Sequence, residues 1–180
     1  MAEPAPPQGP TTLRVPEGDN RERLVCASCG FVLYRNPKVV VGAVIEHDAR
    51  LVLCRRAIDP RKGFWTIPAG YLELAETTAE GARREAREEA GAEIAIEGTL
   101  AVYSIPRISQ VQVIYAARLA KPGIAPGPET LEARLAPWAD IPWDELAFPS
   151  VRWALNHWRE RVTLGDTAAR TNPPGESGDY

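Results

Sequence analysis

Gly70 to Ala92 reads GYLELAETTAEGARREAREEAGA, and its glycines and charged residues are spaced at fixed intervals. Five residues separate Gly70 from Glu76, seven more lead to Arg84–Glu85, and after two further residues come Glu88–Glu89, with Gly91 closing the stretch. At average residue usage, seven such fixed positions match by chance in about one window per 10^8. Thr77-x-x-Glu80 is a capping box, which predicts a helix starting near Thr78. Gly91 stands where a left-handed residue would end that helix after roughly four turns. Ala79, Ala82, Ala86 and Ala90 fall on one narrow stripe at about 100° per residue, so the helix can lie close against a sheet or loop. Gly81 in its interior costs about 1 kcal/mol against Ala.

The charges on this helix point to chemistry. Glu85, Glu88 and Glu89 occupy an arc of about 100° bordering the alanine stripe, while Arg83, Arg84 and Arg87 lie on another. A solvated helix with i,i+4 pairs such as Glu80–Arg84 and Arg84–Glu88 would explain many Glu/Arg runs. Here three like charges crowd the edge of a buried face, which is destabilising unless a cation neutralises them. Hard carboxylate oxygens suit Mg²⁺ or Mn²⁺.

The rest of the chain bounds the answer. Its 180 residues, 44% hydrophobic, make one medium globular domain with loose ends. A net charge of −3 gives no basic footprint for nucleic acid. No run is long enough to span a bilayer, and the N-terminus lacks a signal-peptide pattern. Three cysteines argue against a disulfide framework, so a cytoplasmic location is expected. Residues 1–12 open with the Pro-rich MAEPAPPQGP and are expected to be disordered. Residues 164–180 lack apolar periodicity and read as a flexible tail.

Between them, Val39–Glu46 and Leu51–Arg56 read as a hairpin, and Trp65 with Ile67 alternates towards a strand. Ile94–Ile105, Val111–Leu119 and Glu132–Trp138 are further strands. Ser150 is a candidate cap for a last helix, Val151–Val162, whose stripe is Val151, Leu155, Trp158 and Val162. Strands flanking one internal and one terminal helix predict an α/β/α sandwich around a mixed sheet. Arg55, Arg56, Arg61 and Lys62 precede the turn into Gly70 and could face phosphates, or could simply be solvated. Trp65, Tyr71 and Tyr103 are candidate platforms for a ring.

The Gly70–Ala92 stretch resembles the complete Nudix box, G-x5-E-x7-R-E-U-x-E-E-x-G-U, with Ala86 and Ala92 in the U positions. The resemblance extends over roughly residues 13–162 and implies a Nudix-type α/β/α sandwich with a mixed sheet. Residues 38–163 would form the Nudix domain, preceded by a degenerate zinc-ribbon-like segment, 13–37. In that segment Cys26-x-x-Cys29-Gly30 looks like one ribbon knuckle, followed by a short strand, Phe31–Tyr34. The partner knuckle expected upstream is absent, and Cys54, His47 and His157 have no ligand-like spacing. Two thiolates cannot close a tetrahedral site, so zinc at Cys26 and Cys29 is not expected unless two subunits share one site as a homodimer.

The resemblance also implies roles. Glu85 and Glu89 would be metal ligands with the Gly70 carbonyl, Glu88 would complete or bridge the cluster, and the cation would be Mg²⁺ or Mn²⁺. Glu76 and Arg84 would hold the loop and the carboxylates in place. Glu129 and Glu132 are the candidates for a general base in a later loop; Glu132, just before ARLAPW, is preferred. Selectivity would come from loops outside the box, with Arg55, Arg56, Trp65, Gln110 and Glu129 contacting a small nucleotide. Asn36–Glu46, Leu53–Leu74 and Gly127–Val151 are similar to a ribbon-bearing subgroup that includes plant chloroplast FAD pyrophosphatases and bacterial ADP-ribose relatives. The SQPWPFPxS motif of NADH pyrophosphatases is missing, its place taken by YSIPRISQVQV. The implied reaction is pyrophosphate hydrolysis with release of AMP, from ADP-ribose first, FAD second and NADH third. A sensor module that binds ADP-ribose without cleaving it is the alternative, as is a partner- or nucleic-acid-binding ribbon protein. Retention of every box carboxylate favours the enzyme.

Overall fold

Lys38–His47 alternates its side chains between two faces, and that alternation divides the main core in two. Val41, Ala43 and Ile45 are buried in one cluster and Val44 in the other, as period-2 side-chain placement requires. The computed structural model describes residues 9–178, and the chain divides into two units, Met1–Asn36 and Pro37–Tyr180. Residues 1–8, within the segment expected to be disordered, lie outside the described residues.

The first unit holds β1 (Pro10–Arg14), β2 (Arg23–Cys26) and β3 (Val32–Leu33) in an antiparallel sheet of that order. Residues 10–12, expected to be disordered, are therefore part of a strand. The Asp19 carboxylate accepts from the Asn20 and Arg21 amides and from Arg23 Nε, which tightens the turn between β1 and β2. The knuckle folds as a turn, with the Gly30 amide on the Cys26 carbonyl at 2.9 Å and the Cys26 amide on the Phe31 carbonyl at 2.8 Å.

In the second unit, β4 (Lys38–His47) and β5 (Arg50–Arg56) are joined by Asp48 and Ala49, both at positive φ. They pair only at Glu46–Leu51 and His47–Arg50. Beyond that point the strands diverge, and the connecting chain fills the gap. Short β6 (Trp65–Thr66) pairs with β5, and β7 (Ala69–Tyr71) pairs with β4. After α1 (Thr78–Ala90) come β8 (Ile94–Ile105), β9 (Gln110–Leu119), β10 (Thr130–Pro137) and α2 (Pro149–Leu164). The sheet runs β10-β5-β4-β9-β8, with β4 and β9 parallel and the remaining pairs antiparallel.

α1 covers one face and α2 the other, giving the expected α/β/α sandwich. The α1 face packs Ala82, Ala86 and Ala90 on Val41, Ala43, Ile45, Val52 and Cys54. The α2 face packs Val151, Trp153, Leu155 and Trp158 on Val44, Leu51, Leu53 and Leu100. α2 starts two residues earlier than the proposed Ser150 cap would allow. Phe148 is its N-cap without a side-chain bond, and Pro149 fills the first turn, where its fixed φ suits the helix. Val162, assigned to the buried stripe, is exposed. The chain after α2 is not loose: its described part, to residue 178, runs along β8, held by backbone bonds between Arg170 and residues 100 and 102. Such contacts leave no apolar pattern in the sequence.

Candidate functional site

The divergence of β4 from β5 makes room for the site. It lets β7 lie beside β4 with Gly70 opposite Val41, so a loop residue becomes part of the sheet. α1 then lies across this strand. Its start is fixed by the capping box, the Thr77 hydroxyl accepting from the Glu80 amide and the Glu80 carboxylate accepting from the Thr77 amide. Its end is fixed by Gly91 in the left-handed conformation. Gly81 has a packing reason. A Cβ there would meet Val41 Cγ2 and Glu76 Oε1 at 2.8 Å, so only a bare face lets the helix come this close to β4.

Closeness puts the carboxylates on the strand. Glu85 and Glu89 are both 8% exposed. A Cβ on Gly70 would sit 2.4 Å from Glu85 Oε1, so the glycine creates the room the carboxylate occupies. Glu89 Oε2 accepts from the Ala69 amide at 2.9 Å. Burial, opposed by Arg84, pushes the Glu85 carboxyl above its usual range. For Glu89, burial pushes it up to about 7, opposed by the Ala69 amide and reinforced by the Glu85 and Glu129 charges. Glu88 stands at the rim, its side chain 57% exposed.

Arg84 ties this group together. Its Nε donates to Glu76 Oε2 and Nη2 to Glu76 Oε1, a two-pronged pair at 3.1 and 2.8 Å. Nη1 reaches Glu85 at 2.7 Å and Glu88 at 2.9 Å, and Nη2 also reaches the Tyr71 carbonyl at 2.8 Å. All five guanidinium N–H groups are used, which a lysine could not reproduce. Glu76 in turn accepts from the Glu73 amide at 2.7 Å, fixing the loop between β7 and α1. Arg84, anchored by Glu76, thus joins Glu85 and Glu88 through one guanidinium.

These residues suit a hard divalent cation. The candidate donors are all oxygens, the three carboxylates and the Gly70 carbonyl that the resemblance implied, and a side chain at Gly70 would displace the Glu85 carboxylate. Among the described residues no three of His, Cys, Asp or Glu converge on a single point; Glu89 is held by the Ala69 amide, and Glu85 and Glu88 by Arg84. Their crowding is the charge imbalance that a cation would relieve.

The carboxylates open into a cavity of about 650 Å³, within the range of small-molecule sites. Arg56, Tyr71, Glu73, Gln110, Glu129 and Phe148 line it, as do the apolar Ile105 and Ile108. Of the residues the sequence suggested for a nucleotide, Arg56, Gln110 and Glu129 are among those lining it. The guanidinium of Arg56 lies 5.2 Å over the Phe148 ring and pairs with no carboxylate among the described residues. Tyr71 is half exposed, with Lys38 Nζ 4.9 Å over its ring and Gln110 Nε2 donating to its hydroxyl.

Other candidates lie elsewhere. Arg55 is exposed and donates to the Gly63 carbonyl, since neighbours on a strand face opposite ways and Arg56 takes the pocket side. Arg61 donates to the Ala147 carbonyl and lies over Phe64. Trp65 is a core residue beneath the Arg134 guanidinium, 4.1 Å from the ring, and Tyr103 is fully buried with its hydroxyl on His157 Nδ1. Neither ring is free to stack on a substrate. Glu132, the preferred base, is exposed opposite Arg55 and lines no part of the cavity. A bulge between Thr130 and Glu132 shifts the register, and Glu129 is the acid that reaches the pocket. Phe148 and Gly178 were missed: one is a helix N-cap and the other lies in the segment expected to be loose.

The zinc implied by a ribbon does not fit the first unit. Its sequence contains Cys26 and Cys29 as the only Cys or His residues. Cys26 is buried with its Sγ 3.0 Å from Ser28 Oγ. That hydroxyl, helped by the Cys29 and Ser28 amides, brings the thiol down to about 6. Two sulfur donors leave a tetrahedral ion half coordinated.

Known proteins resemble this chain. A NUDIX domain model matches residues 36–159, and a Nudix N-terminal model, of the zinc-ribbon type, matches residues 8–35. A NUDIX hydrolase from Nitrosomonas europaea superposes with a TM-score of 0.84 at 42% identity, over 89% of this chain and 93% of that one. The ADP-ribose pyrophosphatase of Methanocaldococcus jannaschii is 38% identical over 76 residues, 42% of this chain and 45% of that protein. The NAD-capped RNA hydrolase NudC of Haemophilus influenzae is 32% identical over 71 residues, 38% of this chain and 27% of that one. The matched stretch spans less than half the length of these curated relatives. With the box on α1, the sandwich around it and a full-length structural counterpart, the chain belongs to the Nudix hydrolase family.

Proposed function

We propose that the protein hydrolyses the pyrophosphate of a nucleoside diphosphate linked to a second group, ADP-ribose ahead of FAD, and releases AMP. The carrying observation is that Glu85, Glu88 and Glu89 share one cavity with Glu129 and Arg56. Mg²⁺ or Mn²⁺, held by Glu85, Glu89, Glu88 and the Gly70 carbonyl, would neutralise diphosphate oxygens and acidify the attacking water. Arg56, braced by Phe148 and by its Nε bond to the Pro60 carbonyl at 2.9 Å, orients a phosphate. Glu129 takes the water proton on its carboxylate as the oxygen–phosphorus bond forms and the bridging phosphorus–oxygen bond breaks. ADP-ribose leads because the Methanocaldococcus relative is named for it and the cavity is lined by Ile105, Ile108 and the half-exposed Tyr71.

A panel of ADP-ribose, FAD, NADH, ADP-sugars and a nucleoside triphosphate, with Mg²⁺ and with Mn²⁺, tests the substrate by kcat/KM. A triphosphate leading that panel would overturn the reading, and binding of ADP-ribose with no AMP released would favour the sensor alternative. Glu129→Gln is expected to lower kcat by roughly 10²–10⁴-fold, the usual contribution of a general base. Glu132→Gln should stay within about twofold, as befits an exposed strand residue. The opposite ranking would return the base to Glu132.

The cysteine pair makes a separate prediction. Purified protein should carry well under one zinc per chain, and Cys26→Ser with Cys29→Ser should leave hydrolysis intact. One tightly held zinc per chain, or per two chains, by elemental analysis would show that another chain or group completes the site.

A further inference from the structure

The segment after α2 climbs the open edge of the sheet in steps of two residues. The Arg170 amide donates to the Leu100 carbonyl and its carbonyl accepts from the Val102 amide, each at 2.9 Å. Asn172 continues the ladder with its side chain. Its Oδ1 accepts from the Ser104 amide at 2.9 Å and its Nδ2 donates to the Ser104 carbonyl at 2.8 Å. The Arg170 guanidinium is anchored at 2.8 Å by Asp166. Residues 100, 102 and 104 belong to β8, the outer strand, whose backbone groups would otherwise be unpaired.

Edge protection explains residues 170–172 but not the turn beyond them. Past Asn172 the chain reverses, with the Glu176 amide on the Pro173 carbonyl at 3.0 Å. Asn172 Nδ2 also holds the Glu176 carbonyl, at 3.1 Å. This turn delivers Gly178, buried, against Ile105, where a Cβ would meet Ile105 Cδ1 at 2.5 Å. Gly178, Ile105 and Ile108 all line the cavity. Ile105 pairs with Gln110 on β9, so β9 and β4 lie between it and β7, whose Gly70 meets Glu85.

We propose that residues 170–178 are a specificity-determining strap of this pocket. Asn172 is its positioning residue, holding side-chain-free Gly178 as a shallow apolar wall for a planar ring remote from the diphosphate. The proposal deepens the hydrolase reading and rests on it for its substrates. It predicts that the strap sets KM and the choice between ring-bearing substrates, while the chemical step depends on the box.

The test compares the wild type with Asn172→Ala and with a chain ending after Pro174. Loosening of the strap in Asn172→Ala is read by hydrogen exchange at the Ser104 amide, which Asn172 Oδ1 covers, while the shortened chain lacks Gly178 outright. The expected result for both variants is a rise in KM for the leading substrate of about tenfold, the size of a lost apolar pocket contact. Their kcat should stay within about twofold, and the preference between ADP-ribose and FAD should shrink. An unchanged KM and preference in the shortened chain, or in Asn172→Ala with a faster-exchanging Ser104 amide, would overturn the proposal. Should Asn172→Ala fail to fold, the shortened chain decides, since it keeps the Asn172–Ser104 pairing. If the wild type cleaves no member of the panel, the hydrolase reading falls while the strap is judged by calorimetric AMP affinity with Mg²⁺. A drop of about tenfold in the variants would then support it, and unchanged or undetectable AMP binding would overturn it.

Discussion

Glu89→Gln is expected to lower kcat by roughly 10³-fold while raising the melting temperature of the metal-free protein. The first effect follows from removing one ligand charge, since metal-held stabilisation of developing charge amounts to several kcal/mol and each ~1.4 kcal/mol is tenfold. The second follows from the cost of the buried charge. Burial pushes the Glu89 carboxyl up to about 7, against an unfolded value of about 4.3. Between those values the folded state keeps a proton that the unfolded state has released, so stability falls as pH rises through this window. Glutamine abolishes that slope. Scanning melts of both proteins from pH 5 to 8 in chelator, then in Mg²⁺, should show the variant more stable above pH 7 and largely unresponsive to the cation. A variant that keeps full activity at limiting Mg²⁺, or melts lower at every pH, would remove Glu89 from the ligand set.

Arg84→Lys carries the second-largest expected effect, a loss of about 10–100-fold in turnover, typical of groups that orient metal ligands. Lysine keeps the charge but offers three donors from one nitrogen, whereas Arg84 spans Glu76, Glu85, Glu88 and the Tyr71 carbonyl. Glu85 would then be free to leave its place beside Gly70. Apparent Mg²⁺ affinity, measured by activity titration, should weaken along with kcat. A lysine variant with wild-type Mg²⁺ dependence would reduce Arg84 to an ordinary surface pair.

What could be read from the chain was what is local. The helix limits followed from Thr77, Glu80 and Gly91, because a cap is settled within four residues. The carboxylate arc followed from helical geometry, and β4 and β5 from their apolar runs split by a polar turn. Which acid faces the pocket could not be read, since Glu129 lies before the bulge at the start of β10 and Glu132 after it. Arg55 and Arg56 were indistinguishable for a similar reason: composition does not reveal which face of a strand looks inward. Trp65 and Tyr103 were plausible platforms until the packing of α2 enclosed them. The last segment was the least legible, because backbone amides and one carboxamide hold it.

Gly81 also has a consequence for thermostabilisation. Replacing an interior helix glycine with alanine is a standard gain, about 1 kcal/mol from propensity. On α1 the added methyl would press on Val41 Cγ2 and on Glu76 Oε1, the oxygen that anchors Arg84. Overpacking of this kind costs about 1–3 kcal/mol and would cancel the gain. It would also tilt the helix that carries the carboxylates. An engineering campaign guided by helix propensity would therefore trade catalytic alignment for a stability increment the protein never receives.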